Sequence, residues 1–218
     1  MKEGDFVYVD YIGRVKDTNE IFDLTKEDIA KREGVYRENV RYEPIPVIIG
    51  AGILIRGLEE EIKKMKINEK KTIEIPPEKG FGSRDEKLVR LIPISVFRAN
   101  KIEPEVGKFV TINGLNGRIL SISGGRVKVD FNHPLAGKTL VYEVEVKGEI
   151  KELEEKVKAI FSYFLKFDEK LIELKISENK LEALMNVEIP TMIKRRIANL
   201  ILKWTEIDNV RFIEEYKK

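Results

Sequence analysis

The sequence predicts an α+β fold in three parts, and three observations predict it. Short runs rich in Val, Ile, Tyr and Phe alternate with turn residues from residue 5 to 75 and again at 139–147, the pattern of β-strands. Residues 54–66 (LIRGLEEEIKKMK) instead place Leu54, Leu58, Ile62 and Met65 on one face of a helix. Composition then shifts twice: residues 86–131 are Gly-punctuated and basic, and residues 151–218 mix helical and strand patterns. Composition thus marks off a small all-β unit (86–131) and a C-terminal α+β extension (151–218).

Residues 5–15 (DFVYVDYIGRV) read as a strand, Asp17-Thr18-Asn19 as a turn, and Glu20–Asp23 as a second extended run. Residues 26–33 suit a short helix stopped by Gly34. Tyr42–Ile49 is a strand interrupted by Pro44 and Pro46, which places it at an edge or a bulge. In the 54–66 helix, Glu59, Glu60 and Glu61 precede Lys63, Lys64 and Lys66, the favourable order for helical charge pairs. Residues 70–75 alternate as a strand ended by Pro76-Pro77, and Gly80-Phe81-Gly82 is a loop. Within 86–131, the runs at 109–112, 118–122 and 126–130 are strands, and Gly124-Gly125 joins the last two as a hairpin. The strand at 139–147 alternates strictly. The tail is expected to hold a helix at 151–165, strands at 169–177 and 180–186, a helix opened by Pro190 and running to Trp204, and a strand at 209–216.

Composition excludes several chemistries. The chain has 218 residues, no Cys and a single His, so disulfides, thiol nucleophiles and Cys- or multi-His metal centres are out. His133 itself is read as a structural residue at a domain junction, with a metal role as the alternative. No metal and no cofactor are expected. Hydrophobic residues are 42% and charged residues 36%, enough for a core beneath a heavily charged surface, and the net charge is only +2. Gln is absent while Glu and Lys abound, which points to a thermophilic source. The longest apolar stretch, Ile45–Ile55, is broken by Pro46, Gly50 and Gly52, so no membrane partner is expected; the N-terminus lacks an apolar signal region, and the expected location is the cytoplasm.

Five motifs in order carry a resemblance: Val9-Asp10-Tyr11-Ile12-Gly13, Ile21-Phe22-Asp23, Ile49-Gly50 through Leu54-Ile55-Arg56-Gly57-Leu58-Glu59, Gly80-Phe81-Gly82, and Thr139-Leu140-Val141-Tyr142-Glu143-Val144. Residues 1–85 and 132–148 resemble an FKBP-type peptidyl-prolyl cis–trans isomerase, and the insertion after Gly82 is similar to the SlyD-like, archaeal long-type branch with its insert-in-flap domain. The resemblance implies an antiparallel half-barrel sheet wrapped on one helix, formed by a discontinuous first domain (1–85 and 132–150) that is interrupted by the inserted all-β domain (86–131) and followed by the C-terminal α+β extension (151–218). It implies catalysed rotation about Xaa–Pro bonds of unfolded or nascent polypeptides, with holdase-like chaperone activity through the insert. It implies a catalytic group of Tyr11, Phe22, Asp23, Phe81 and Tyr142, and substrate-binding residues Ile45, Leu54, Ile55 and Leu58, with the Ile55 N–H holding a substrate carbonyl. Leu58 stands where many members carry Trp, Ile45 where they carry an aromatic residue, and Phe81 where they carry Tyr.

Other readings stay open. One is a general chaperone with a weak isomerase site. Another is an RNA-associated factor using the basic insert, with Lys108, Arg118, Arg126 and Lys128 on phosphates. Nucleic acid is the disfavoured partner, because few aromatics interleave those cations. In the tail, Met192, Ile193, Ile197, Leu200, Ile201 and Trp204 form a wide apolar surface, read either as packing on its own strands or as a client or homodimer surface of residues 151–218.

Overall fold

A computed structural model describes residues 1–165 and 171–214. The ends of two expected strands, at 169–170 and 215–216, lie outside the described residues. In chain order the elements are β1 (Phe6–Val15), β2 (Ile21–Leu24), α1 (Glu27–Arg32), β3 (Ile45–Ile48), α2 (Arg56–Ile62), β4 (Lys70–Ile75), β5 (Val89–Pro93), α3 (Ile94–Ala99), β6 (Phe109–Ile112), β7 (Leu115–Ser123), β8 (Arg126–Asp130), β9 (Leu140–Glu149), α4 (Leu153–Phe164), β10 (Ile172–Ser177), β11 (Lys180–Met185), α5 (Thr191–Trp204) and β12 (Asn209–Glu214). The chain divides into two compact units, Met1–Ile75 with Val141–Lys218, and Pro76–Leu140.

The first unit is built on a sheet of order β2-β1-β9-β4, with β3 also paired antiparallel to β1. β1 is long enough to hold both partners: Phe6–Val9 pair with β3, and Ile12–Arg14 pair with β2. Its alternation sends Val7, Val9 and Tyr11 to one face, and Leu58 and Ile62 of α2 are buried with them in the core. The expected 54–66 helix is shorter than its pattern. Ile55 caps it in an extended conformation, and its last turns after Ile62 unwind into turns that still bury Met65.

The opposite face of β1 and β3 is covered by the tail. Phe6 and Ile48 share one apolar cluster with Val157, Ile160 and Phe161 of α4, Leu181 and Ala183 of β11, and Ile197 and Ile201 of α5. The Ile150 N–H donates to the Phe6 carbonyl at 2.8 Å, tying the start of the tail to the first strand. β10 and β11 pair antiparallel, while β12 joins β11 in parallel after the α5 crossover. Pro190 precedes α5 as its cap, where a missing N–H costs nothing. The buried stripe of α5 lies on its own unit, and Met192 and Leu202 stay exposed. Among the described residues no helix is long and apolar enough to cross a membrane.

The second unit carries a four-stranded antiparallel sheet of order β5-β8-β7-β6. It is not all-β. Residues 94–99 form α3, whose Phe97 is fully buried among Val110, Ile112, Ile119, Val127 and Val129. The β-branched residues Ile94 and Val96 mask this helix in the sequence, but Pro93 sets its start and Phe97 lies three residues on from Ile94, where a helix turns both inward. Ile92, Ile94 and Val96 pack against the same core. At the neck, the Asp85 N–H donates to the Asn132 side-chain carbonyl at 2.8 Å, the Asn132 amide returns a bond to the Asp85 carbonyl at 2.9 Å, and Arg84 pairs with Asp130 at 2.7 Å.

Candidate active site

The site grows from one irregularity of register. Gly13 of β1 lies opposite Asp23 and Arg14 lies opposite Ile21, so Phe22 is the extra residue of a bulge. In a regular strand Phe22 and Asp23 would point to opposite faces; a bulge breaks that alternation and re-aims the side chain. Both side chains therefore reach the face that carries Tyr11 and Tyr142. The Tyr11 hydroxyl donates to the Asp23 carboxylate at 2.7 Å. Phe22 meets Tyr142 edge-to-face at 5.6 Å and 82°, and Tyr11 meets Tyr142 at 5.7 Å and 61°. The three rings and the carboxylate thus form an aromatic corner with one anionic group.

Three residues outside the expected set hold this corner. Gly13 is where the rings come closest: a Cβ there would lie 2.7 Å from Phe22 Cζ and 3.0 Å from Tyr142 Cε1. Thr25 closes the end of β2. Its hydroxyl accepts from the Tyr11 N–H at 2.9 Å and donates to the buried Asp10 carboxylate at 2.8 Å, and its N–H donates to the Tyr11 carbonyl at 3.0 Å. A glycine inside a strand pattern is the sequence signal for close approach, and it was available at Gly13. Thr25 and Asp10 give no such signal, since small polar residues at strand ends are common.

Burial shapes the electrostatics. Tyr142 is 4% exposed and Tyr11 7%, and Phe22 is half-buried. Burial first, and then the charge of Asp23, pushes the Tyr11 phenol far above its ordinary value. The Tyr142 phenol is raised by the same two causes in the same order. Both rings therefore stay neutral at any physiological pH, and Tyr11 stays a donor to Asp23. Asp23 itself is exposed at the mouth of the corner.

The remaining expected residues lie on other segments of the chain. Leu58 is fully buried in the first turn of α2, Ile55 is the residue before that helix, and Leu54 precedes it. The Ile55 N–H donates to no acceptor among the described residues, so it is available to a ligand carbonyl. Ile45 opens β3 and is half-buried. Phe81 belongs to the second unit, where its ring stacks on His133 at 4.3 Å and 3°, and His133 Nδ1 accepts from the Leu135 N–H at 3.1 Å. The single His is thus engaged structurally. Among the described residues no three His, Asp or Glu side chains are grouped to hold a metal.

Such a corner offers flat apolar walls and one carboxylate held by a phenol, which suits binding a compact, weakly polar group and favouring one geometry of it. Comparison with known proteins narrows this. Residues 90–135 match the family described as FKBP26, IF domain, and residues 153–217 match FKBP26 C-terminal. The chain is 41% identical over 147 residues to the short-type peptidyl-prolyl cis–trans isomerase of Methanocaldococcus jannaschii, covering 67% of this chain and 92% of that protein. The chain belongs to the FKBP-type peptidyl-prolyl cis–trans isomerases. It is also 34% identical over 128 residues to the FKBP-type isomerase SlyD of Helicobacter pylori, covering 57% of this chain and 69% of the relative. A third relative, the FKBP-type 16 kDa isomerase of Escherichia coli, is 31% identical over 121 residues, 52% of this chain and 80% of its own length. In this FKBP-type chain, the two segments that match family descriptions by name, 90–135 and 153–217, do not include the residues of the aromatic corner.

Proposed function

We propose that this FKBP-type protein catalyses rotation about Xaa–Pro bonds in unfolded or partly folded polypeptides, with the proline ring seated in the corner of Tyr11, Phe22 and Tyr142. The observation that carries the reading is the Tyr11–Asp23 hydrogen bond, 2.7 Å long, set under two edge-to-face ring contacts. The uncatalysed barrier is roughly 18–20 kcal/mol because the planar amide is resonance-stabilised. A twisted amide has lost that resonance and is less polar. Apolar walls that exclude water favour it over the planar form, which is differential binding of the transition state. Asp23 orients the amide at the mouth, and Tyr11 holds the carboxylate in place. The Ile55 N–H takes a substrate carbonyl, and Leu58 floors the pocket beneath Ile45 and Leu54. Phe81 belongs to the second unit, and turnover of Phe81→Ala tests whether it takes part.

The deciding experiment is cis–trans exchange of a short Xaa–Pro peptide followed by NMR, against an uncatalysed time of about 10–100 s. Acceleration that falls at least tenfold in Asp23→Ala and Tyr142→Ala supports the site. Full activity in both variants refutes it.

The insert is assigned a holdase role. Its outer sheet face exposes Phe109 (65%) and Leu91 (60%), with Arg118 paired across from Phe109 and Lys128 across from Leu91. Apolar groups beside cations suit extended, unfolded chain, and binding a client to the same chain as the catalytic unit raises its effective concentration there. Deleting residues 87–130 should leave short-peptide turnover intact and impair turnover on a refolding protein. Equal loss on both substrates would count against the assignment, and steeply salt-dependent RNA binding by this face would favour the RNA-associated reading instead. A homodimer through residues 151–218 would use the exposed side of α5, at Met192 and Leu202, and sedimentation of the full chain with and without Met192→Lys tests it.

A further inference from the structure

A buried carboxylate stands behind the aromatic corner. Among the described residues the buried polar side chains are two, Asp10 at 9% exposure and Thr25 at 5%, and they are bonded to each other. Successive side chains of β1 leave opposite faces of the sheet, so Asp10 points away from the face that carries the Tyr11 ring. A carboxylate is costly to bury and persists only where it is hydrogen-bonded. The Thr25 hydroxyl has two acceptors within reach, the Asp10 carboxylate at 2.8 Å and the Tyr11 carbonyl at 3.3 Å. The carboxylate is both nearer and the stronger acceptor, so it takes the proton. With its proton turned to Asp10, the Thr25 oxygen presents its lone pairs to the Tyr11 N–H, 2.9 Å away. The Tyr11 carbonyl is then left to the Thr25 N–H at 3.0 Å. Tyr11 is gripped at both backbone groups, and its hydroxyl reaches Asp23, two residues before Thr25.

We infer that Asp10 is a positioning residue of the isomerase reaction: by fixing the direction of the Thr25 hydroxyl it sets the Tyr11 backbone, and through it the Tyr11–Asp23 pair at the twisting amide. The inference rests on the isomerase reading above. Without the carboxylate the hydroxyl turns to the Tyr11 carbonyl, where it competes with the Thr25 N–H, and the Thr25 oxygen loses its alignment on the Tyr11 N–H. The ring contacts of Phe22 and Tyr142 do not pass through Asp10. The loss therefore falls on twisting of the amide and not on seating of the proline. Such a loss lowers kcat and kcat/KM together and leaves KM in place.

The test measures turnover of a short Xaa–Pro peptide by NMR exchange over a range of peptide concentrations, with the full chain. The variants are Asp10→Ala, Asp10→Asn, Tyr11→Phe and the double variant Asp10→Ala with Tyr11→Phe, each corrected for its folded fraction. Asp10→Ala should lower kcat about tenfold, as a sub-ångström displacement of a positioned group does, with KM held within about twofold. Asp10→Asn, whose side-chain carbonyl still accepts from Thr25, should recover most of that loss. In the Tyr11→Phe background the hydroxyl to Asp23 is already gone, so adding Asp10→Ala should change kcat by less than about twofold. The native chain supplies a separate readout: a Thr25 hydroxyl proton held by a carboxylate should exchange with water slowly enough to give its own NMR signal. If Asp10→Ala does not fold, Asp10→Leu takes its place in both backgrounds, and the hydroxyl signal still tests the native chain. Unchanged kcat, a loss confined to KM, equal losses in the two backgrounds, or a native protein without the hydroxyl signal would overturn the inference while leaving the isomerase standing. Absence of any acceleration by the native protein would instead refute the isomerase reading and this inference with it.

Discussion

Gly13→Ala is the sharpest probe of the aromatic corner. Gly13 lies in β1 where the register with β2 shifts, and its φ is not positive, so an alanine meets no left-handed backbone penalty. What it meets is ring carbon. The new methyl would stand 2.7 Å from Phe22 Cζ, 3.0 Å from Phe22 Cε2 and 3.0 Å from Tyr142 Cε1. Carbon pairs rest at about 3.5–4.0 Å, so the Phe22 ring edge must retreat by roughly 1 Å. Phe22 sits at the bulge of a short strand and is half-buried, so it can swing outward; Tyr142, in the middle of the sheet, cannot. The cost of such overpacking is about 1–3 kcal/mol.

The catalytic effect should exceed the stability effect. A displacement of about 1 Å in positioned groups can cost on the order of 100-fold in rate. The variant should therefore stay folded and lose roughly 10- to 100-fold in kcat/KM, measured by NMR exchange beside a urea titration. Gly148→Ala is the matched control: it lies on β9 in the same sheet, and its Cβ would meet nothing within 4 Å. Native turnover in a folded Gly13→Ala protein would refute the claim that Phe22 and Tyr142 wall the substrate.

Three further outcomes follow from the same geometry. Thr25→Val strips the Asp10 carboxylate and the Tyr11 N–H of a partner at once, so chemical denaturation should register a loss of about 1–3 kcal/mol, with turnover reduced because β2 is no longer pinned. The Tyr11 and Tyr142 phenols are raised in the folded chain, so the stability they contribute is complete below their ordinary value near 10 and is lost as pH rises above it, because only the unfolded chain then releases their protons. Ultraviolet titration of the seven tyrosines should accordingly show two that ionise only as the fold opens, and fewer than two would be incompatible with the corner as described. Phe6→Ala should cost about 3–5 kcal/mol, and it should lower the melting of the isomerase sheet and of the tail together, since Phe6 is shared by both; separate transitions by fluorescence of Trp204 and by amide exchange of β9 would mean that the shared core does not couple them.

What the sequence discloses and what it conceals divide along a physical line. Strands with unbroken alternation, such as β9, and helices with a one-sided stripe, such as α4 and α5, were legible because burial acts residue by residue on a local period. α3 was not, because its β-branched residues favour a strand locally and only the burial of Phe97 under β6, β7 and β8 decides the matter. The corner shows the same division. Tyr11, Phe22, Asp23 and Tyr142 are visible as motifs, but that they meet depends on a one-residue bulge that no periodicity reveals, and on Gly13 leaving room for two rings. The seat of the tail lay furthest from view. In the sequence Tyr163 is one aromatic residue on the far side of a composition change, and it gains a place beside Ile53 and Pro46 only because Phe6 and Ile48 draw α4 onto the back of β1 and β3. The placement of the tail is therefore set by a long-range apolar cluster that joins the first strand to α4 and α5, and no local period in either segment announces that meeting.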